Sequence, residues 1–236
     1  MASTAVSTPM QDHEGYFAVL IGDIARSRSF EDQQELFNGL KSHFKWVNQY
    51  VEAEQALELG FEQGDEFQAA YRSIESAVKA SILLRMRFKL NALKPKARDM
   101  DVRVGLGYGQ ITAYDKTIAP RGQSGDAWWN AREAIEEAES RRGQHGMPKS
   151  INTRFKGSDP GIEGFINAML LAVDQVLYRM DRRGIHITLA LLQGEQQKAI
   201  ARQLNTSQST ISRSAREQGA NTIKAIFEEL GGVDFS

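Results

Sequence analysis

The sequence predicts an α+β protein, in which a ferredoxin-like domain is followed by an all-α domain containing a helix-turn-helix. Strand-like and helical patterns alternate through the first 156 residues, which is typical of α+β folds. Every later segment has helical periodicity only, and two of these segments are short and joined by a polar turn. With 236 residues and a hydrophobic content of 41%, the chain is long enough for one large or two modest domains.

The first segments are a tail, a strand and a helix. Met1–Asp12 is rich in Ser and Thr and lacks the charged and apolar regions of a signal peptide, so we expect residues 1–13 to be a disordered tail. The continuous apolar run Tyr16–Ile21 predicts a strand buried on both faces. Apolar residues then recur at helical spacing from Leu36 to Val51, which predicts a helix.

The next elements complete the pattern of the first domain. Gly64-Asp65 predicts a hairpin turn between strands at about 57–63 and 66–71, and a helix follows at 73–93. The strand at 102–109 has alternating glycines, which allow a helix or a ligand to approach its backbone. A third helix at 125–140 and a final strand at 150–155 follow. We therefore expect a ferredoxin-like domain over 14–156, with helices on one face of an antiparallel sheet.

Composition excludes several classes of site. The formal net charge of -1 argues against a protein that binds nucleic acid through a wholly basic surface, although it allows a local basic patch. The chain has no cysteine, which excludes disulfides, thiolate catalysis and Cys-based zinc sites. Its four scattered His residues form no ligand pattern. Since no apolar run approaches the ~20 residues of a membrane span, we expect a cytoplasmic protein without a membrane partner.

The helical domain, expected over 157–236, carries a helix-turn-helix pattern at about 196–218. Ile200, Leu204 and Ile211 have the spacing of core residues, and the turn lies between the two helices. Between residues 195 and 216 there are four basic residues and one acidic residue, which suits phosphate contacts. An αα-hairpin for dimerisation or docking is the alternative. We expect DNA as a partner and a homodimer, with DNA contacts from Lys198, Arg202, Ser207, Gln208, Ser209, Thr210, Ser212, Arg213 and Arg216.

Two Gly-Asp sequences follow predicted strands and suggest a metal site. Asp23 ends the first strand, and Asp65 lies in the hairpin turn. If the strands are neighbours, the two carboxylates repel each other and a divalent cation relieves the repulsion. We therefore expect Mg²⁺ or Mn²⁺ at Asp23 and Asp65, with Glu66 and the carbonyl of Ile24 as further ligands. The alternative for each residue alone is an ordinary turn or a helix cap.

Basic residues near these acids suggest a nucleotide as a possible ligand. Arg26, Ser27 and Arg28 follow Asp23 at the start of a loop or helix, where N–H and guanidinium groups bind phosphates. Arg132 is a further phosphate-binding candidate, although it has the spacing to pair with Glu136 on the same helix.

At these residues the chain resembles the SatD family of bacterial proteins. The matching blocks begin at Ile21 (IGDIARSR), Gly64 (GDEFQ), Arg103 (RVGLG) and Gly125 (GDAWWNAR), and the C-terminal helix-turn-helix belongs to the same pattern. The resemblance covers nearly the whole chain after the tail. It implies an architecture more than an activity.

More distantly, the first domain is similar to class III nucleotidyl cyclases and GGDEF-type domains. That resemblance implies a palm-like fold with two metal ions, for which Asp23 and Asp65 would be the ligands. The chain departs from the cyclases at Phe61, where they have an adenine-reading Lys. It also has Asn130 and Arg132 two residues apart instead of four, which places them about 200° apart around a helix.

Three hypotheses about function follow. The first is a DNA-binding regulator whose palm-like domain senses a nucleotide with its metal. The second is a metal-dependent nucleotidyl cyclase or another nucleotide-processing enzyme, in which arginines stabilise the developing phosphoryl charge. The third is a dimeric scaffold with an empty palm fold.

Overall fold

The structure is a computed structural model that describes residues 15–24, 33–91, 101–112 and 124–233. The predicted tail at 1–13 and the segment that contains Arg26, Ser27 and Arg28 lie outside these ranges. In chain order the elements are β1 (Tyr16–Ile24), α1 (Gln33–Tyr50), β2 (Gln55–Gln63), β3 (Glu66–Tyr71), α2 (Ile74–Asn91), β4 (Val102–Gln110), α3 (Asp126–Arg141), β5 (Thr153–Lys156), α4 (Pro160–Arg179), α5 (Arg182–Leu192), α6 (Gln197–Gln203), α7 (Gln208–Glu217) and α8 (Ala220–Leu230).

The five strands form one sheet in the order β2-β3-β1-β4-β5. β1 is central and pairs antiparallel with β3 and β4, and β2 pairs antiparallel with β3. This order of the first four strands is that of a ferredoxin-like βαββαβ unit, as the sequence predicts. β5 is parallel to β4, so the sheet is mixed and not purely antiparallel.

Helices cover both faces of the sheet, so the expectation of helices on one face is wrong. One face packs on α1 and α2, whereas α3 lies against the other face and contacts β4, β1 and β5. The alternating glycines of β4 explain this arrangement. A Cβ atom at Gly105 or Gly107 would overlap the backbone of α3 near Ala131, so these glycines let the helix lie directly on the strand.

The C-terminal helices share the core of the first face. Ile166 and Leu177 of α4, Ile185 of α5 and Phe227 of α8 belong to the same buried cluster as the sheet residues Leu20 and Leu106. The smaller helices α6 and α7 pack in a second cluster around Ile200 and Ile211. The predicted boundary at residue 156 falls between β5 and α4, and the packing across it is continuous.

A buried ionic network also crosses this boundary. Arg85 of α2 is 1% exposed and donates to Asp101, with Nη2–Oδ2 2.9 Å, and to Asp174 of α4. Asp174 also accepts hydrogen bonds from the backbone N–H groups of Asn152 (2.7 Å) and Thr153 (3.1 Å). Although burial disfavours the charged form of Arg85, the two carboxylates hold its pKa above the ordinary value.

Among the described residues, no helix combines the length and the apolar character that a membrane span needs.

Candidate functional site

The predicted acidic residues lie at one end of the sheet. β1 ends with Asp23 and Ile24, and β3 begins with Glu66 directly after the Gly64-Asp65 turn, in which Gly64 has φ +61°. Gly22 pairs with Phe67 in the antiparallel register, so Asp23 and Glu66 occupy the next positions of the two strands. The hairpin therefore brings its carboxylates beside the end of β1, as the sequence predicts.

Arginine side chains hold two of these carboxylates in bidentate ion pairs. Arg103 of β4 donates from Nε and Nη2 to the two oxygens of Asp23, each at 2.8 Å. Arg132 of α3 donates to the two oxygens of Glu66 at 2.8 and 2.7 Å. Because Arg103 also pairs with Glu139 of α3, the cluster lies on the α3 face of the sheet. We call Asp23, Asp65, Glu66, Arg103 and Arg132 the charged cluster.

The pKa of the Asp23 carboxyl depends on its burial and on the charges around it. Burial raises the pKa of the Asp23 carboxyl, the ion pair with Arg103 lowers it, and the nearby charges of Asp65 and Glu139 raise it again. The net shift is upward. The effect of Asp65 also shows that the two Asp residues of the predicted metal site lie close enough to interact.

The donor set fits a divalent cation that is shared with a ligand. In the described ranges, no group of three or more His, Cys, Asp or Glu residues could hold a metal ion by itself. Mg²⁺, however, commonly takes one or two carboxylates from a protein and the rest of its ligands from substrate phosphates and water. Asp23 and Asp65 would supply two carboxylates to such a cation. Each Asp23 oxygen accepts one hydrogen bond from Arg103, which leaves it further lone pairs.

The other predicted ligands have different surroundings. Ile24 is the last residue of β1; it pairs with Val102, and its side chain is buried in the core. Glu66 accepts a hydrogen bond from Gln68 (2.8 Å) in addition to those from Arg132. Arg132 forms its bidentate pair with Glu66 of β3 and not with Glu136 on its own helix.

Sequence reasoning missed Arg103. The sequence does contain a signal for this residue. Arg103 lies on the same face of β4 as the glycines, and it is the one charged residue on that strand. Asn130, by contrast, donates to the carbonyl of Tyr108 at 2.9 Å and so fixes α3 to β4. Trp128 is buried, whereas Trp129 is 72% exposed.

The predicted DNA-contacting residues lie on and between α6 and α7. The helices are joined by a turn in which Asn205 has φ 46°, and the Ser207 hydroxyl caps α7 by accepting from the Thr210 N–H at 3.2 Å. Thr210 is partly buried. The remaining predicted residues are exposed: Lys198, Arg202, Gln208, Ser209, Ser212, Arg213 and Arg216.

Comparison with known proteins identifies the family. The chain belongs to the SatD family, whose family model matches residues 16–226. Comparison with curated proteins found no match.

Solved structures with a similar fold include nucleotidyl cyclase domains. One is the active GGEEF domain of a diguanylate cyclase from Vibrio cholerae, with 14% identity, coverage of 61% of this chain and 84% of that one, and a TM-score of 0.42. Another is an adenylate/guanylate cyclase/hydrolase from Silicibacter pomeroyi, with 20% identity, coverage of 51% and 69%, and a TM-score of 0.39.

Proposed function

We propose that this SatD family protein binds a nucleoside triphosphate together with Mg²⁺ or Mn²⁺ at the charged cluster, and that it acts as a nucleotide-processing enzyme. The observation that carries the proposal is that two interacting Asp carboxylates and the guanidinium groups of two arginines lie together at one end of the sheet. Carboxylates that share a cation and guanidinium groups that bind phosphate oxygens are the two elements a metal-bound triphosphate requires.

The residues of the cluster have distinct roles in this proposal. Asp23 and Asp65 hold the cation, which when bound would polarise the phosphoryl oxygens. Arg103 and Arg132 are planar donors whose geometry suits phosphate as well as carboxylate. A bound triphosphate gives these arginines a second anionic partner, and they offset the negative charge that develops on the phosphoryl group. Arg26, Ser27 and Arg28 are proposed to add phosphate contacts.

Thermal unfolding with each common nucleoside triphosphate, with and without Mn²⁺, tests the proposal. Ligand at ~100 times its dissociation constant adds about 2.7 kcal/mol of stability. We expect a metal-dependent shift in the wild type that Asp65→Asn abolishes. Glu229→Gln removes the same charge from an exposed site on α8 and should keep the shift. An equal shift in Asp65→Asn would show that the carboxylate pair is not part of the binding site. For a nucleotide that binds, analysis of its reaction products then tests turnover.

A second candidate function, DNA binding by α6 and α7, rests on the exposed basic residues of these helices. Within the part of the chain that the structure describes, Lys198, Arg202, Arg213 and Arg216 make no ion pair with a carboxylate. Four exposed cations without acidic partners suit contacts with phosphates, while Ser209 and Ser212 on α7 would face base edges. Together with the first proposal, this supports a regulator whose DNA binding responds to a nucleotide.

Fluorescence anisotropy with a mixed-sequence duplex tests this second candidate. We expect binding that weakens with salt, and we expect Arg213→Gln and Arg216→Gln each to reduce the slope of log K against log salt by about 1. Lys224→Gln is the control, because this cation on α8 is already paired with Glu228. Equal binding by all three variants and the wild type would exclude α7 as the DNA-contacting helix.

A further inference from the structure

The outer face of α4 is apolar and has no exposed charge over four helical turns. Phe165 is 61% exposed and Tyr178 is 59% exposed, so two large aromatic rings of this helix lie in solvent. Between Glu163 and Arg179 the only charged residue is Asp174, and it is fully buried in the network with Arg85. Solvent-facing helical surfaces normally carry charged side chains, so this face has the character of an interface.

The residues of this face follow the spacing of a helix-packing seam. Steps of four and three residues alternate along Gly164, Ala168, Leu171, Gln175 and Tyr178. Such a period of 3.5 residues keeps one stripe of a helix facing a partner helix along its length. All five positions are exposed or partly exposed, and none belongs to the buried apolar clusters, although Gln175 is hydrogen-bonded to Ser150 Oγ at 2.9 Å. We call these five residues the α4 seam.

We propose that the α4 seam is the contact surface of a homodimer, in which two copies of α4 pack antiparallel about a two-fold axis at Leu171. In that arrangement Gly164 lies opposite Tyr178 of the second copy, and Ala168 lies opposite Gln175. Each small residue therefore meets a large one, and Leu171 meets itself on the axis. The seam is complementary to itself, which is what a two-fold contact requires.

The distribution of charge along α4 also favours a second copy as the partner. A two-fold axis brings equivalent residues close together, and like charges near the axis would repel each other, but the seam has none. Phe165, Ala172 and Arg179 flank the seam at seven-residue spacing. Antiparallel packing places the exposed Arg179 guanidinium beside the exposed Phe165 ring of the second copy, which is a favourable cation–π pair.

Sedimentation velocity of the full chain gives the first test. We expect the wild type to be a dimer at micromolar concentration and Ala168→Glu to be a monomer, because the variant places carboxylates in an apolar contact. Ala225→Glu is the matched control, since Ala225 is an exposed helical alanine on α8, and it should remain dimeric. A monomeric wild type, or a dimeric Ala168→Glu that circular dichroism shows to be folded, would overturn the proposal.

The 236-residue sequence contains no cysteine, which allows a sharper second test by disulfide trapping. Leu171→Cys places a thiol on the axis, where Cα atoms of the two copies come within disulfide range of about 7 Å. Tyr178→Cys places equivalent thiols 14 residues apart along antiparallel helices, which is about 21 Å. We expect rapid oxidative cross-linking of Leu171→Cys and none of Tyr178→Cys. Cross-linking of Tyr178→Cys, or none of Leu171→Cys, would overturn the antiparallel pairing.

Discussion

At the scale of single residues, His43 on α1 is a buried imidazole whose charged form is disfavoured in the folded protein. It is 4% exposed, and its Nδ1 atom has no hydrogen-bond partner among the described residues. Burial lowers the pKa of His43 to about 4, and the positive charge of Arg87 adds to this effect. Between pH 6.5 and about 4 the unfolded chain therefore binds a proton at this site that the folded protein does not.

This difference predicts a loss of stability in acid. Between pH 6.5 and about 4 the unfolded state holds more protons at His43, so the free energy of unfolding falls as the pH falls through that window, by about 3 kcal/mol in total. Urea unfolding of His43→Leu between pH 7 and 4.5 should show a smaller loss than the wild type. His145→Leu, at an exposed site, should follow the wild-type curve. Parallel curves for all three proteins would contradict the assignment.

Asp23 gives the opposite prediction for pH and a test of function at the same residue. Because its pKa is raised, the folded state binds more protons than the unfolded chain just above pH 3.8, and stability falls as the pH rises through that window. Ionisation of Asp23 therefore lowers the free energy of unfolding at pH 7.

We expect Asp23→Asn to leave the melting temperature unchanged or higher, yet to abolish stabilisation by a metal-bound nucleotide. A clear loss of stability without ligand would indicate a purely structural ion pair with Arg103.

At the scale of elements, the contact between β4 and α3 depends on glycine. A methyl group at Gly107 would overlap the backbone of α3 at Ala127 and Ala131, and backbone atoms cannot rotate away as a side chain does. We expect Gly107→Ala to lower the free energy of unfolding by about 1–3 kcal/mol or more. Gly39→Ala on α1 has open space around the new methyl and should instead add up to about 1 kcal/mol through helix propensity. Chemical denaturation of the two variants measures both effects, and equal stabilities would contradict the close packing.

These elements also show what the sequence could predict. The hairpin, β1 and the glycine strand were predictable because turn chemistry and periodicity are local properties. A helix on the second face of the sheet is indicated by the two-sided burial of β1 together with the alternating glycines of β4, because a helix must cover that face and the glycines leave room for it. The sequence indicates that Arg103 lies on the same face of β4 as its glycines, but its pairing with Asp23 depends on the register between two strands, in which the paired residues are 80 positions apart in sequence.

At the scale of the whole molecule, the continuous core and the Arg85 network predict that the two sequence segments unfold together. All three tryptophans, Trp46, Trp128 and Trp129, precede residue 156. Tryptophan fluorescence thus reports on the α+β part, while circular dichroism at 222 nm also reports on α4–α8. Since α4 shares both the apolar core and the buried ion pairs with α2, we expect coincident urea transitions by the two probes. Separate transitions would indicate two independent domains with a boundary near residue 156.

Substitution of Arg85 makes this prediction more specific. Arg85→Met leaves Asp101 and Asp174 without their guanidinium partner, and breaking a buried ion pair in this way costs about 3–5 kcal/mol. Because the pair joins α2 to α4, both probes should move to lower urea by the same amount. Arg141→Met removes a surface pair with Glu137 and should cost less than about 1 kcal/mol. If Arg85→Met shifted the fluorescence transition alone, α4 would be stable without the sheet, and a nucleotide signal could not reach α6 and α7 through this contact.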